Sequence, residues 1–230
     1  MSTKFFTNQD TNTLLNKFKG IFEHNTDIEN FDALVGYFRA SGYFKVRPFL
    51  DNVPHIRILV GIDVDKILAK YQSKGLLFQG DANQTLIEFL SEVKSDIQDA
   101  DYNQEIEEGI LQFIEDIATR KIEIKAHPSK KLHAKIYIFK PKGWNEHKSG
   151  YVITGSSNLT ENGLGGTDNF NYEFNVQLKD YDDVKFASDE FERLWIEGIS
   201  ILPIEINKVK KETFLNDGFT PFEVYIKFLI

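Results

Sequence analysis

The sequence predicts an α/β protein in which a mixed β-sheet is sandwiched by helices, and three observations carry that prediction. Residues 30–38, "NFDALVGYF", and 55–62, "HIRILVGI", read as buried strands on either side of a short helical stretch, the order that builds a βαβ unit. Farther on, three segments with apolar spacing near 3.6 are followed by four short strand-like runs and then by helical spacing again. The chain's 230 residues and 41% hydrophobic content are enough for one large core.

Taken in order, the first helix runs through "TLLNKFKGIFEHN", capped by Asp10 or Thr11, with Leu14, Leu15, Phe18, Ile21 and Phe22 as its apolar stripe. The strand at 30–38 places Tyr37 and Phe38 in the core rather than on a base-stacking platform. Helix "GYFKVRPFLD" opens at Ser41 or the turn before it, and Pro48 limits its length. Strand "HIRILVGI" is near-continuously apolar and is therefore covered on both faces. Helices follow at "VDKILAKYQSKG", "NQTLIEFLSEVKSDI" and "NQEIEEGILQFIEDIATR", with their acidic residues outward. Next come strands "KIEIKAH", "LHAKIYIF", "GYVITG" and "NYEFNVQL", the first two separated by the polar turn "PSKK". Helices return with "YDDVKFASDEFERLWIEGI" and "PIEINKVKKETFLN". At the end, Thr220 as cap, Pro221 at the first helical position and Glu223 form a capping box that opens another helix. The expected organisation is one domain over 1–216, with 217–230 starting a helix that leads into an absent downstream domain.

Cysteine is absent, which excludes disulfides, thiolate metal sites and thiol catalysis and points to a reducing cytoplasm. The N-terminus has no apolar signal core, and no run reaches the ~18–20 apolar residues that span a bilayer, so a soluble, cytoplasmic protein with no membrane partner is expected. Net charge is -8, yet Arg120 to Lys148 forms a basic island interrupted only by Glu123 and Glu146. Loops collect lysine for solubility alone, so the island reads either as solvated surface or as a track for phosphates.

The chemistry gathers in three short elements. Alternation along "KLHAKIYIF" sets Leu132, Ala134, Ile136 and Ile138 on one face and His133, Lys135, Tyr137 and Phe139 on the other. An imidazole and an ammonium among aromatic rings are costly to bury unless an anion sits there. The loop "GSSN" leaves the next strand, where Gly155 permits a sharp path and Ser156, Ser157 and Asn158 can present donors. In "NYEFNVQL", Glu173 shares a face with Asn175 and Gln177.

These residues resemble the phospholipase D superfamily, whose signature is H-x-K, then G-[SG]-x-N, then a downstream acidic residue: His133 and Lys135, Gly155, Ser157 and Asn158, and Glu173. The similarity is greatest to the single-motif branch, which includes metal-independent restriction endonucleases and the phospholipase D-like modules at the N-termini of bacterial helicase-type proteins. The full pattern has an aspartate five residues after the lysine, where this chain has Lys140. That departure favours a nuclease over a lipid hydrolase.

The resemblance implies that His133 attacks phosphorus and forms a covalent phosphohistidine. Lys135 would act as a fixed cation, Asn158 as an amide donor, and Glu173 as the carboxylate that holds the other imidazole nitrogen. Ser157 and Ser156 would add phosphate donors; no metal and no cofactor is required. Neutral imidazole suits the attack, because with an ordinary pKa of about 6.5 it keeps a lone pair near neutrality. The chain carries one H-x-K, so the leaving-group acid must come from elsewhere, and a homodimer with a composite site follows. The expected substrate is nucleic acid, taken as DNA, contacted further by Lys131, Lys140, Lys142 and Trp144; Trp144 either stacks on a base or anchors its loop. The alternative is a catalytically silent nucleic-acid-binding or regulatory module of a larger restriction or helicase protein.

Overall fold

The computed structural model describes residues 3–9, 11–61, 82–99, 104–128, 132–165 and 172–202. The strands are β1 (Phe5–Thr7), β2 (Ile28–Val35), β3 (His55–Val60), β4 (Glu123–Ala126), β5 (Ile136–Pro141), β6 (Tyr151–Gly155), β7 (Phe174–Leu178) and β8 (Ile199–Ser200). The helices are α1 (Leu14–His24), α2 (Ala40–Val46), α3 (Ala82–Asp99), α4 (Gln104–Ala118), α5 (Glu161–Leu164) and α6 (Tyr181–Glu197). Among the described residues the strands form one mixed sheet, ordered β1-β7-β6-β5-β2-β3-β4-β8.

The β2-α2-β3 segment is the parallel βαβ unit that the sequence predicts, with Asn30 to Val35 in register with His55 to Val60, and β4 extends it in parallel. Antiparallel β5, β6, β7 and β1 continue the sheet on the other side.

Alternation sorts the strand residues into two cores. Phe31, Ala33 and Val35 of β2, Ile56, Ile58 and Val60 of β3, and Tyr137 and Phe139 of β5 meet Leu14, Phe18 and Ile21 of α1 and Phe113 of α4. Leu34, Leu59 and Ile138 meet Val184, Phe191 and Trp195 of α6 on the opposite face. Phe18 sits edge-on to Phe31, Tyr137 and Phe139 at 5.7, 5.1 and 5.1 Å, and such pairs each contribute about 0.5–1.5 kcal/mol beyond burial. No helix among the described residues is long and apolar enough to cross a membrane.

Several boundaries differ from the sequence reading for local reasons. Helix α1 is capped by Thr13, whose hydroxyl accepts from the Asn16 N–H at 3.2 Å, rather than by Asp10 or Thr11. Strand β5 begins at Ile136, not Leu132: its ladder with β2 stops at the pair Leu34 with Ile136, one residue before β2 itself ends at Val35. Helix α5 follows the loop after β6, and its N-cap Thr160 accepts from the Gly163 N–H at 3.1 Å. The expected helices at 64–75, 203–216 and 220–230, and with them the proposed boundary at 216, lie outside the described residues.

Candidate active site

The topology brings the predicted residues to one edge of the sheet. Parallel strands β2, β3 and β4 end there, β5 and β7 start there, and β6 ends there, as the pairs Leu34 with Ile136, Ile136 with Thr154 and Gly155 with Asn175 require. Immediately beyond this line stand Gly36 and Tyr37, His133 and Lys135, Ser156 to Asn158, and Glu173. Crevices outside the carboxyl ends of parallel strands are where open α/β sheets bind ligands.

His133 is exposed, and Lys135, half-buried, turns its ammonium back to donate to the His133 carbonyl at 2.6 Å. This places the cation beside the imidazole's own backbone. The segment is wedged against Gly36: a Cβ there would stand 2.4 Å from the Leu132 carbonyl oxygen and 3.3 Å from the His133 Cα. Only a residue without a side chain permits that approach. Gly36→Ala is therefore expected to push His133 out of place, lowering kcat at least tenfold in a phosphodiester cleavage assay.

Asn158 is oriented by the chain itself. Its Oδ1 accepts the Tyr37 N–H at 3.0 Å, which assigns the amide and leaves the Nδ2 hydrogens to face a ligand. Tyr37, expected in the core, is instead 37% exposed beside it, whereas Phe38 is buried as expected and bridges to Leu159.

Glu173 is buried and its carboxylate accepts from the Ser156 hydroxyl, while its N–H donates to Asn8 Oδ1 at 3.0 Å. The Ser156 hydroxyl in turn accepts the Phe174 N–H at 3.0 Å, so it braces the carboxylate rather than reaching for a phosphate. Ser157 is fully buried, accepts from Asn175 Nδ2 on its hydroxyl at 2.9 Å and from the Tyr137 hydroxyl on its carbonyl at 2.9 Å. Both serines thus shape the loop, their hydroxyls engaged with Glu173, the Phe174 N–H and Asn175. Burial, and secondarily the Glu173 charge, push the Tyr137 phenol well above its ordinary pKa, so it remains a proton donor to the loop. Tyr137 and Asn175 share faces with His133 and Glu173 in the strand alternation, a signal that the motif pattern alone misses.

The outlying cations do not join the site. Lys140, Lys142 and Trp144 lie at the far end of β5, about 20 Å away at ~3.3 Å per residue. Lys140 donates to Ser188 at 2.8 Å and stands 3.7 Å from buried Asp32, so it faces the α6 core. Trp144 packs against Tyr181 with ring centroids 5.0 Å apart, a contact that suits a loop anchor. Lys142 is exposed there, and Lys131 lies outside the described residues. Much of the basic island is spent on internal bracing: Lys121 donates to the Asp51 and Val53 carbonyls, Lys125 to the Trp195 carbonyl, and Lys148 to Asp27. Among the described residues no three His, Asp or Glu side chains converge as a metal site.

Residues 40–195 match the family described as "Cardiolipin synthase, PLD-like domain". No curated protein matches the sequence. Among solved structures the chain is similar to a phospholipase D family member, Nuc from Salmonella typhimurium, at 11% identity and TM-score 0.50, over 87% of this chain and 98% of that one. It is similar also to the phosphatidylserine synthase of Haemophilus influenzae Rd KW20, at 14% identity and TM-score 0.50, over 98% of this chain and 44% of that one. NucT from Helicobacter pylori matches at 14% identity and TM-score 0.43, over 86% and 97%. At these identities the likeness is one of fold.

Proposed function

The chain belongs to the phospholipase D-like domain family, and from that premise we propose that it is a phosphodiesterase, an endonuclease that cuts DNA without a metal ion through a phosphohistidine on His133. The observation that carries the reading is the convergence of H-x-K, Asn158 and Glu173 on one sheet edge, with the Asn158 Oδ1 taken up by the Tyr37 N–H so that the Nδ2 hydrogens are left for a ligand.

In the proposed step, an imidazole nitrogen of His133 attacks phosphorus, the N–P bond forms, and the P–O bond to one nucleoside oxygen breaks. Lys135 and the Asn158 amide gather the charge of the equatorial oxygens, the kind of preorganised stabilisation that contributes most to such reactions. The Ser156 hydroxyl and Asn8 hold Glu173 close to the loop, where its carboxylate would orient the imidazole. The proton for the leaving oxygen comes from His133 of a second copy, which places the complete site on the axis of a homodimer. Water then attacks phosphorus, gives its proton to an imidazole, and frees the phosphate end. The resemblance to helicase-type and restriction modules supports a place within a larger protein of that kind.

The test is plasmid cleavage by the purified chain in excess EDTA. Nicking that persists in the chelator supports the reading. Cleavage that stops and returns with magnesium overturns metal independence, and intact plasmid at high protein concentration leaves the silent binding module.

A further inference from the structure

The end of β2 carries an exposed aromatic–cation pair that the catalytic scheme does not use. Strand β2 is buried on both faces, yet immediately after it Tyr37 exposes its ring and Arg39 its side chain. The two are locked together: Arg39 Nε donates to the Tyr37 hydroxyl at 3.1 Å, and the guanidinium lies 5.5 Å from the ring centroid. The backbone beneath is fixed as well. The Tyr37 N–H holds Asn158, Phe38 bridges to Leu159, and the Arg39 N–H donates to the Leu159 carbonyl at 3.2 Å.

A lone exposed tyrosine needs no explanation. This one has its hydroxyl bonded, is already paired with a cation, and is attached through its own N–H to the amide proposed to bind the scissile phosphate. We infer that Tyr37 and Arg39 form a nucleotide subsite, in which a base of single-stranded nucleic acid stacks on the ring and Arg39 contacts a neighbouring phosphate. Aromatic faces accept any base, and a guanidinium adds both stacking and charge, so the subsite grips a strand without reading its sequence. It also supplies a cation at the site edge that the distant Lys140 and Lys142 do not. The inference rests on the phosphodiesterase reading only for the position of the scissile phosphate.

The experiment measures fluorescence anisotropy of a labelled twelve-residue oligothymidylate and of an abasic strand of equal length and charge. The full chain carries His133→Ala so that the probe stays intact. Oligothymidylate is expected to bind on the order of tenfold more tightly than the abasic strand. Tyr37→Ala keeps the backbone N–H to Asn158 and should bring that ratio close to one, whereas Tyr37→Phe should preserve it. Arg39→Gln should weaken both strands and flatten their salt dependence. A ratio untouched by Tyr37→Ala, or equal binding of both strands by the parent, overturns the subsite. Cleavage in chelator by the wild-type chain without a Tyr37-dependent ratio sinks the subsite and leaves the phosphodiesterase. A Tyr37-dependent ratio without cleavage does the reverse.

Discussion

His133→Ala should fold normally and lose phosphodiester cleavage by about 10⁴-fold or more, the scale on which removing a covalent nucleophile acts. Its imidazole is exposed and takes no part in either core, so the substitution should change stability by no more than about 0.5 kcal/mol. Lys135 still donates to the carbonyl of residue 133, because that bond is to backbone. Loss of rate with an unchanged melting curve is thus the signature of chemistry at His133. Measuring kcat/KM on a short oligonucleotide beside a urea melt separates the two effects, and a loss of only tenfold would remove the nucleophile from the scheme.

Arg57→Met should cost about 3–5 kcal/mol, a large part of the 5–15 kcal/mol that holds a typical domain together. Arg57 of β3 donates to both carboxylate oxygens of fully buried Asp32 at 2.7 and 2.9 Å, and to both of Glu192 at 3.1 and 2.6 Å. The guanidinium rests over Phe191 and Trp195, 4.9 and 5.4 Å from the ring centroids. Methionine refills some of that volume but leaves Asp32 in the sheet with Lys140, 3.7 Å away, as its remaining cation. An anion so poorly compensated is what makes breaking a buried pair expensive. The double variant Arg57→Met with Asp32→Leu should recover part of the loss, because the stranded charge is gone. The hydrogen bond from Arg57 also holds the Glu192 carboxyl below its ordinary value of 4.5. Its folded pKa being depressed, the stabilisation is present at neutral pH, declines as the solution acidifies past the ordinary value, and is absent below the depressed one. Urea midpoints from pH 7 to pH 3 should show this acid limb in the wild-type chain and a flatter one in Arg57→Met. A cost under about 1 kcal/mol at pH 7 would contradict the bracing role.

How much of this could be read from the sequence varies with the physics involved. The βαβ unit was legible because alternation and apolar continuity are local, and H-x-K, Asn158 and Glu173 were legible because each stands at a strand boundary. The start of β5 was not, because a strand's bounds depend on what it pairs with, and the ladder with β2 stops at the pair Leu34 with Ile136. Strands β1 and β8 have three and two residues, too few to display a period. Lys140 carries its structural role in the strand pattern itself. It shares a face with Ile136 and Ile138, and its partner carboxylate Asp32 is in register with Ile138. A lysine on a core face opposite a buried aspartate is a structural ion pair. Counting charges along the island could not show that Lys121 and Lys125 end on backbone carbonyls. Tyr37 was hidden for a similar reason, since its N–H meets Asn158, 121 residues away in the chain.

The central claim is that an imidazole at this sheet edge attacks phosphorus, and the most direct measurement is trapping the intermediate. A phosphodiester oligonucleotide labelled with ³²P is mixed with the chain in EDTA, quenched in alkali within one turnover, and digested for peptide mass spectrometry. The account predicts an acid-labile, alkali-stable phosphoryl adduct on the peptide containing His133, which disappears as product forms. Cleavage that proceeds with no adduct, or with the adduct on another residue, would contradict it.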